Sequence, residues 1–320
     1  MRWERGLVLF AVLAVLVWTL VAVFVPGAGP GLASRAGGVP VIAVVNLEGP
    51  LVAGSGTSAS LLDPATSSAD AICAILSDIR EDPGVAAVVL RVNSEGSTVA
   101  AAQEVADELL RVREAGKVVV TSLGDIGASG AYWIACATDH IVANPGTITG
   151  SIGVIWEFAN YAELYRKLGL RYTTFTSGPY KDMGNPSRDL TAEERRMVEE
   201  MIADMYEQFV QAVVQGRNMS RQAVLKLADG RVFTGSQAYE LGLVDSLGGL
   251  GRAVDKAVEL AGIEGEYQLR EYGRPSPWEL LLSELWALAR YLRLAGAAAY
   301  GAYGTAGSGA GGRLLPGEGP

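Results

Sequence analysis

Short β-branched apolar runs alternate with segments of helical spacing along most of this 320-residue chain, and that alternation restricts the fold more than any other feature. Val41–Val45, Val85–Val92, Val118–Thr121, Ile141–Val142 and Leu243–Val244 read as strands, and Tyr172–Phe175 as an extended stretch. Helical spacing occupies Ser67–Arg80, Val99–Arg113, residues 129–137, Ala162–Leu168, Ala192–Val214, Arg221–Leu227, Gly235–Leu241 and Ala253–Ala261. Strands that are apolar throughout, rather than at every second position, are covered on both faces. Strands separated by helices join as neighbours in a largely parallel sheet. The expectation is an α/β domain over residues 40–265.

The ends are of another kind. Leu7–Val25 is uncharged, with Thr19 as its one polar residue, and at 1.5 Å per residue a helix of this length nearly crosses a hydrocarbon core of about 30 Å. Its length favours an uncleaved signal-anchor over a cleavable leader. Arg2 and Arg5 precede it, which places residues 1–6 in the cytoplasm, a transmembrane helix at 7–26 and the remainder outside the cell membrane. Residues 27–39 read as a Gly/Pro/Ala linker. Residues 266–294 form an extension in which Trp278, Leu281, Leu282, Leu285, Trp286 and Leu292 share one helical face, suited to core packing, a membrane surface or a subunit contact. The Gly/Ala-rich residues 295–320 read as a disordered tail.

Composition removes several function classes. There are 26 basic and 35 acidic residues, a net charge of −9, so no basic excess exists to bind nucleic acid. Two cysteines rule out a disulfide framework. Cys73 and Cys136 lie in apolar helical runs and are expected to be buried free thiols. No cluster of Cys and His has metal-ligand spacing, and no phosphate loop is present, so no metal or organic cofactor is expected.

Two strand-to-helix junctions carry the candidate chemistry. In Arg91-Val92-Asn93-Ser94-Glu95-Gly96-Ser97-Thr98 a strand ends in small polar residues before a helix, which either presents N–H groups to an oxyanion or is an ordinary turn. In Gly124-Asp125-Ile126-Gly127-Ala128-Ser129-Gly130-Ala131 small residues crowd Ser129 at a helix start. That serine is either a nucleophile open to approach or a plain N-cap. A hydroxyl nucleophile needs a base. The single imidazole, His140, sits at a strand edge eleven residues on, so a Ser-His-Asp arrangement is disfavoured. The alternative is a lysine kept neutral by burial. Of the five, Lys117 opens a strand, while Lys167, Lys226 and Lys256 lie on helical segments among polar neighbours. Lys181 lies in the turn-rich Ser177–Pro186.

Arg91–Val99, Gly124–Ile155 with its Asn144-Pro145-Gly146-Thr147-Ile148-Thr149-Gly150-Ser151 run, and Tyr180–Pro186 together resemble the signal peptide peptidase A family, in order, over residues 40–265. The resemblance implies a crotonase/ClpP-like α/β fold of repeated ββα units and a membrane-anchored serine peptidase of the short form. It implies Ser129 as nucleophile, Lys181 as general base and Ser151 as the hydroxyl that orients the lysine. It also implies an oxyanion hole from backbone N–H groups of Gly96, Ser97 and Gly130. Peptides, such as signal-peptide remnants, are the implied substrates, lipid the surroundings, and a homo-oligomer, an octamer, the assembly, with serine and lysine from neighbouring subunits. Glu95 and Ser97 stand where the family motif has Pro and Gly, which alters the turn's backbone preferences but keeps the N–H of residue 97. A membrane-tethered scaffold of the same fold without chemistry is the alternative reading. Acyl-CoA chemistry on the related crotonase fold is a weaker third, since an exported domain is separated from cytosolic CoA.

Overall fold

A computed structural model of the chain describes residues 38–54 and 67–272. The described residues up to Arg270 belong to one compact unit, and Glu271 and Tyr272 are the only described residues of a second. The predicted transmembrane segment 7–26, nearly all of the linker and the C-terminal helix and tail lie outside the described residues. Among the described residues no helix is long and apolar enough to cross a membrane.

The predicted parallel α/β pattern is present. β1 (Val41–Glu48), β4 (Val85–Ser94), β5 (Val118–Ala128), β6 (His140–Ala143) and β9 (Ser246–Leu247) form consecutive parallel neighbours, with β10 (Gln268–Tyr272) beyond β1. A two-stranded parallel ladder joins β2 (Leu51–Val52) to β3 (Ser67–Ser68). Because the strand order from β1 to β6 always advances in one direction, right-handed crossovers place every connecting helix on one face. Those helices are α1 (Ala69–Glu81), α2 (Val99–Glu114) and α3 (Gly130–Cys136), which pack against one another. Alternation along the strands then leaves a second apolar face, built of Ile42, Val44, Ala87, Val89, Val120 and Val142. One helix, α8 (Leu250–Leu260), covers it with Ala253, Val254 and Ala257. Each fully buried Val or Ile on these faces contributes about 2 kcal/mol.

Three differences from the sequence reading bear on the site. β5 runs seven residues past Thr121, because its second half finds a partner of its own in β7 (Ile148–Gly150). β7 in turn pairs antiparallel with β8 (Val232–Thr234). Leu243 and Val244 are buried in the turn before β9 instead of forming a strand, and Tyr172–Phe175 has no regular structure. Cys136 is buried as expected, but Cys73 is only partly covered; both are free.

The remaining helices are α4 (Ala162–Lys167), α5 (Ala192–Arg217), α6 (Arg221–Leu225) and α7 (Gly235–Glu240). α5 starts with a Thr191/Glu194 capping box and lies against α3, where Phe209 stacks on Trp133 at 5.0 Å and 20°. At its far end Gly216 touches Cys136 so closely that a Cβ would come within 2.0 Å of the Cys136 carbonyl oxygen. Arg217, nearly buried, pairs in bidentate fashion with Asp245 and holds α5 to the end of the sheet.

Candidate active site

Helix caps decide what kind of serine residue 129 is. Ser68, Thr98, Thr191, Ser220 and Thr234 each precede a helix in extended conformation, and each hydroxyl accepts an N–H from the first turn. Ser129 precedes α3 with φ 55° and ψ −127°, and its side chain makes no capping bond. The plain N-cap reading is therefore excluded. A non-glycine residue held in this sparsely populated region costs on the order of 1–3 kcal/mol. The surroundings hold it there: Ser129 N–H donates to Gly150 O at 2.9 Å, and its carbonyl accepts from Tyr132 (2.9 Å) and Trp133 (3.0 Å) N–H. All seven residues of α3 are buried behind it.

The turn at 94–98 meets this serine. A Cβ on Gly96 (φ 151°) would stand 3.1 Å from Ser129 Cβ and 3.3 Å from its Oγ, so only glycine lets the turn come this near. A Cβ on Gly130 would stand 2.0 Å from Ser97 Oγ and 2.9 Å from Ser97 N. The turn is fixed from behind by β2, with Leu51 N–H donating to Gly96 O (3.0 Å) and Thr98 N–H to Leu51 O (3.1 Å). Ser97, where the resemblance leads one to expect glycine, donates its hydroxyl to Thr98 O at 2.8 Å. Gly130 begins α3, where a helix start leaves N–H groups without intrahelical partners. Glu95 is exposed and does not line the cavity at Ser129.

Ser151 joins them through β7. It follows Gly150, whose carbonyl holds Ser129, and its own N–H donates to Arg231 O at 2.9 Å. With φ 50° it is another positive-φ residue among the three non-glycines of that kind in the described chain. Ser97, Ser129, Gly130 and Ser151 all line one cavity of about 870 Å3, whose walls include Trp133, Ile155, Trp156, Met205 and Phe209. The sequence reading missed these aromatic and aliphatic walls, because they come from α3, α5 and the segment after β7. A second cavity of about 590 Å3 between α2 and α5 shares the Trp133 wall but holds none of the candidate site residues.

Lys181 is not brought to this cavity within the chain. It is exposed, on a turn-rich loop, and does not line the cavity. The loop is nonetheless anchored. Arg188 pairs with both Asp182, next to Lys181, and Glu194 at the start of α5 (2.8 and 2.6 Å). Tyr161 N–H donates to Pro186 O at 2.7 Å. The Arg188 guanidinium, with help from Thr191, holds the Glu194 carboxyl down at about 2.

The other candidates fall away. His140 starts β6 opposite Val120, nine residues and therefore about 30 Å of extended chain upstream of Ser129 along β5. Its ring lies 2.9 Å from Ser246 Oγ, and burial lowers its pKa. Burial pushes the thiols up to about 12 at Cys136 and about 11 at Cys73, so neither is a thiolate near neutral pH. Among the described residues no group of His, Cys, Asp and Glu could hold a metal ion.

The pattern of Peptidase family S49 matches residues 111–264, which contain Ser129, Ser151 and Lys181. The chain is 45% identical over 184 residues to a protein of Synechocystis sp. named as a protease, covering 58% of this chain and 66% of that one. It is 41% identical over 173 residues to a protein of Enterococcus faecium named as signal peptide peptidase SppA, covering 54% and 50%. It is 33% identical over 237 residues to Protease 4 of Haemophilus influenzae, covering 72% and 36%. The chain thus spans between about a third and two thirds of the length of these relatives. With the matched segments containing the strained serine and the loop lysine, this chain belongs to peptidase family S49, among relatives of the signal peptide peptidase A kind.

Proposed function

We propose that the protein is a serine endopeptidase that works by a Ser–Lys dyad. The observation that carries this reading is Ser129 itself: a strained, uncapped hydroxyl, open to a large cavity and touched by the Gly96–Ser97 turn. In the proposed reaction Ser129 Oγ attacks the scissile carbonyl carbon while its proton passes to neutral Lys181 Nζ. The oxyanion is met by the N–H groups of Ser97 and Gly130; the third donor expected from the sequence, Gly96 N–H, is held by Ser94 Oγ at 3.2 Å. The C–N bond then breaks, the amine leaves with the proton from Lys181, and an acyl-Ser129 ester remains. Water, deprotonated by Lys181, hydrolyses the ester and restores the serine. Ser151, in the same cavity, orients the lysine.

The lysine comes from a neighbouring copy of the chain. Its exposed position outside the cavity supports this, as do the bare apolar side chains on the same segment, among them Ile155 (85% exposed), Leu168 (63%) and Phe175 (92%). A ring of copies, an octamer by family resemblance, and a crotonase/ClpP-like core complete the reading. Leu7–Val25 anchors the chain in the membrane, and peptides there, such as signal-peptide remnants, are the substrates.

The test uses the full chain with a fluorogenic apolar peptide and a serine-reactive fluorophosphonate. Ser129→Ala and Lys181→Ala each lower kcat/KM by about 10⁴-fold or more. Mixing the two inactive variants restores activity, up to about a quarter of the parent in a randomly mixed ring with head-to-tail contacts. Turnover retained in either variant overturns the dyad, and a mixture that stays inactive overturns the shared site.

A further inference from the structure

We infer that Asn93 is a positioning residue that sets the distance between the oxyanion turn and the nucleophile. This rests on the peptidase reading given above.

β5 is one strand with two ladders. Val120–Leu123 pair with β6, and Ile126–Ala128 pair with β7. Between them Gly124 and Asp125 have no partner in either ladder, and pairing with β4 is also interrupted between Val92 and Ser94. A backbone that leaves its ladder must satisfy its polar groups elsewhere. Here side chains take them. Asn93 Oδ1 accepts both Asp125 N–H (3.0 Å) and Ile126 N–H (3.2 Å). Thr147 Oγ1 donates to Gly124 O (2.6 Å), and Thr149 Oγ1 to Gly127 O (2.7 Å).

Asn93 differs from the two threonines in where its own backbone lies. Its carbonyl accepts Gly49 N–H at 3.0 Å at the end of β4, and the hydroxyl of the next residue, Ser94, accepts Gly96 N–H (3.2 Å) and donates to Gly96 O (3.1 Å). One side chain therefore joins the root of the Gly96–Ser97 turn to the bend that leads, four residues or about 13 Å later, to Ser129. Gly124 makes the joint close: a Cβ there would stand 3.0 Å from Asn93 Oδ1. Asn93 is exposed and lines no part of the cavity, so it acts through Ser129 and the turn, not on substrate. A shift of about 1 Å between nucleophile and donors is enough to cost about 100-fold in rate.

The test compares the parent, Asn93→Leu, which keeps the branched shape and loses the acceptor, and Asn93→Asp, which keeps an acceptor. The readouts are kcat and KM on the fluorogenic peptide, the rate of fluorophosphonate labelling, and Tm. Asn93→Leu is expected to lose about 100-fold in kcat with KM within about twofold, to label more slowly in proportion, and to melt near the parent temperature. Asn93→Asp is expected to recover most of kcat. Parent-like kcat in Asn93→Leu, no recovery in Asn93→Asp, or unfolding of Asn93→Leu would each overturn the inference, the last in favour of a purely structural role. Ser129→Ala keeps the two readings apart: if the parent neither labels nor cleaves beyond Ser129→Ala, the peptidase reading fails rather than the role of Asn93.

Discussion

Ser129 and Lys181 stand in opposite kinds of protein. Around the serine, α3 is wholly buried, the strands on either side are apolar, and side chains take Asp125 N–H, Ile126 N–H and Gly124 O at the β5 bend. Around the lysine, no residue from Gly153 through Glu193 is buried, and the segment keeps its shape through turns, the short α4 and the Arg188 ion pairs. A strained φ persists only where packing over-determines it. In the proposed shared site a base delivered to another copy would need the reverse, a segment whose apolar surface is left for that copy to cover.

Substitutions can probe each side. The largest effect is expected at Gly130→Ala, where the new Cβ would meet Ser97 Oγ at 2.0 Å and force the turn from the serine. kcat is expected to fall by about 100-fold or more, with slower fluorophosphonate labelling. Gly251→Ala, where a Cβ meets nothing within 4 Å, serves as the control with parent kinetics. Next comes strain: Ser129→Gly removes the proposed nucleophile yet relieves its positive φ, so the variant should be more stable by about 1 kcal/mol in denaturant unfolding. A less stable variant would mean that packing of the serine side chain outweighs the strain.

The lysine side should respond to pH instead. Glu194 is held at about 2 against an ordinary 4.5, so its bond to Arg188 stabilises the charged form. Its contribution is complete above about 4.5 and is lost as pH falls through that value toward 2. Limited proteolysis between Gly153 and Glu193 should therefore be flat from pH 7 to 5 and rise below about 4.5, and Arg188→Ala should show the raised cleavage already at pH 7. The smallest effect is at His140. Its lowered pKa favours the neutral ring in the fold, so any loss of stability appears only as pH drops below its ordinary value, and His140→Gln should retain the parent pH–rate profile.

The sheet was legible because its strands are apolar on both faces and its helices keep their spacing, signals that lie within single segments. Ser129 and Lys181 could be proposed from scarcity, one histidine and five lysines, and from small residues near a helix start. The two readings of Ser129 could not be separated that way, since N-cap and nucleophile occur in the same local sequence; the backbone angles exclude the N-cap. β7 and β8 went unread because three-residue strands carry no period, and β5 was cut short because Gly124 and Gly127 look like the end of a strand. Asn93, Thr147 and Thr149 act across gaps of more than twenty residues, which no local pattern records.

The order of the strands also bears on how the chain folds. β1, β4, β5 and β6 are laid side by side in the order in which they occur, so each can dock on the edge left by the one before. The helices that cover one face arrive between them. The cover for the other face, α8, comes last, more than a hundred residues after β6. Until it docks, Ile42, Val44, Ala87, Val89, Val120 and Val142 form a bare apolar sheet surface, the kind that draws chains together. A nascent or truncated chain ending before Leu250 would then aggregate through that face, whatever the state of its serine.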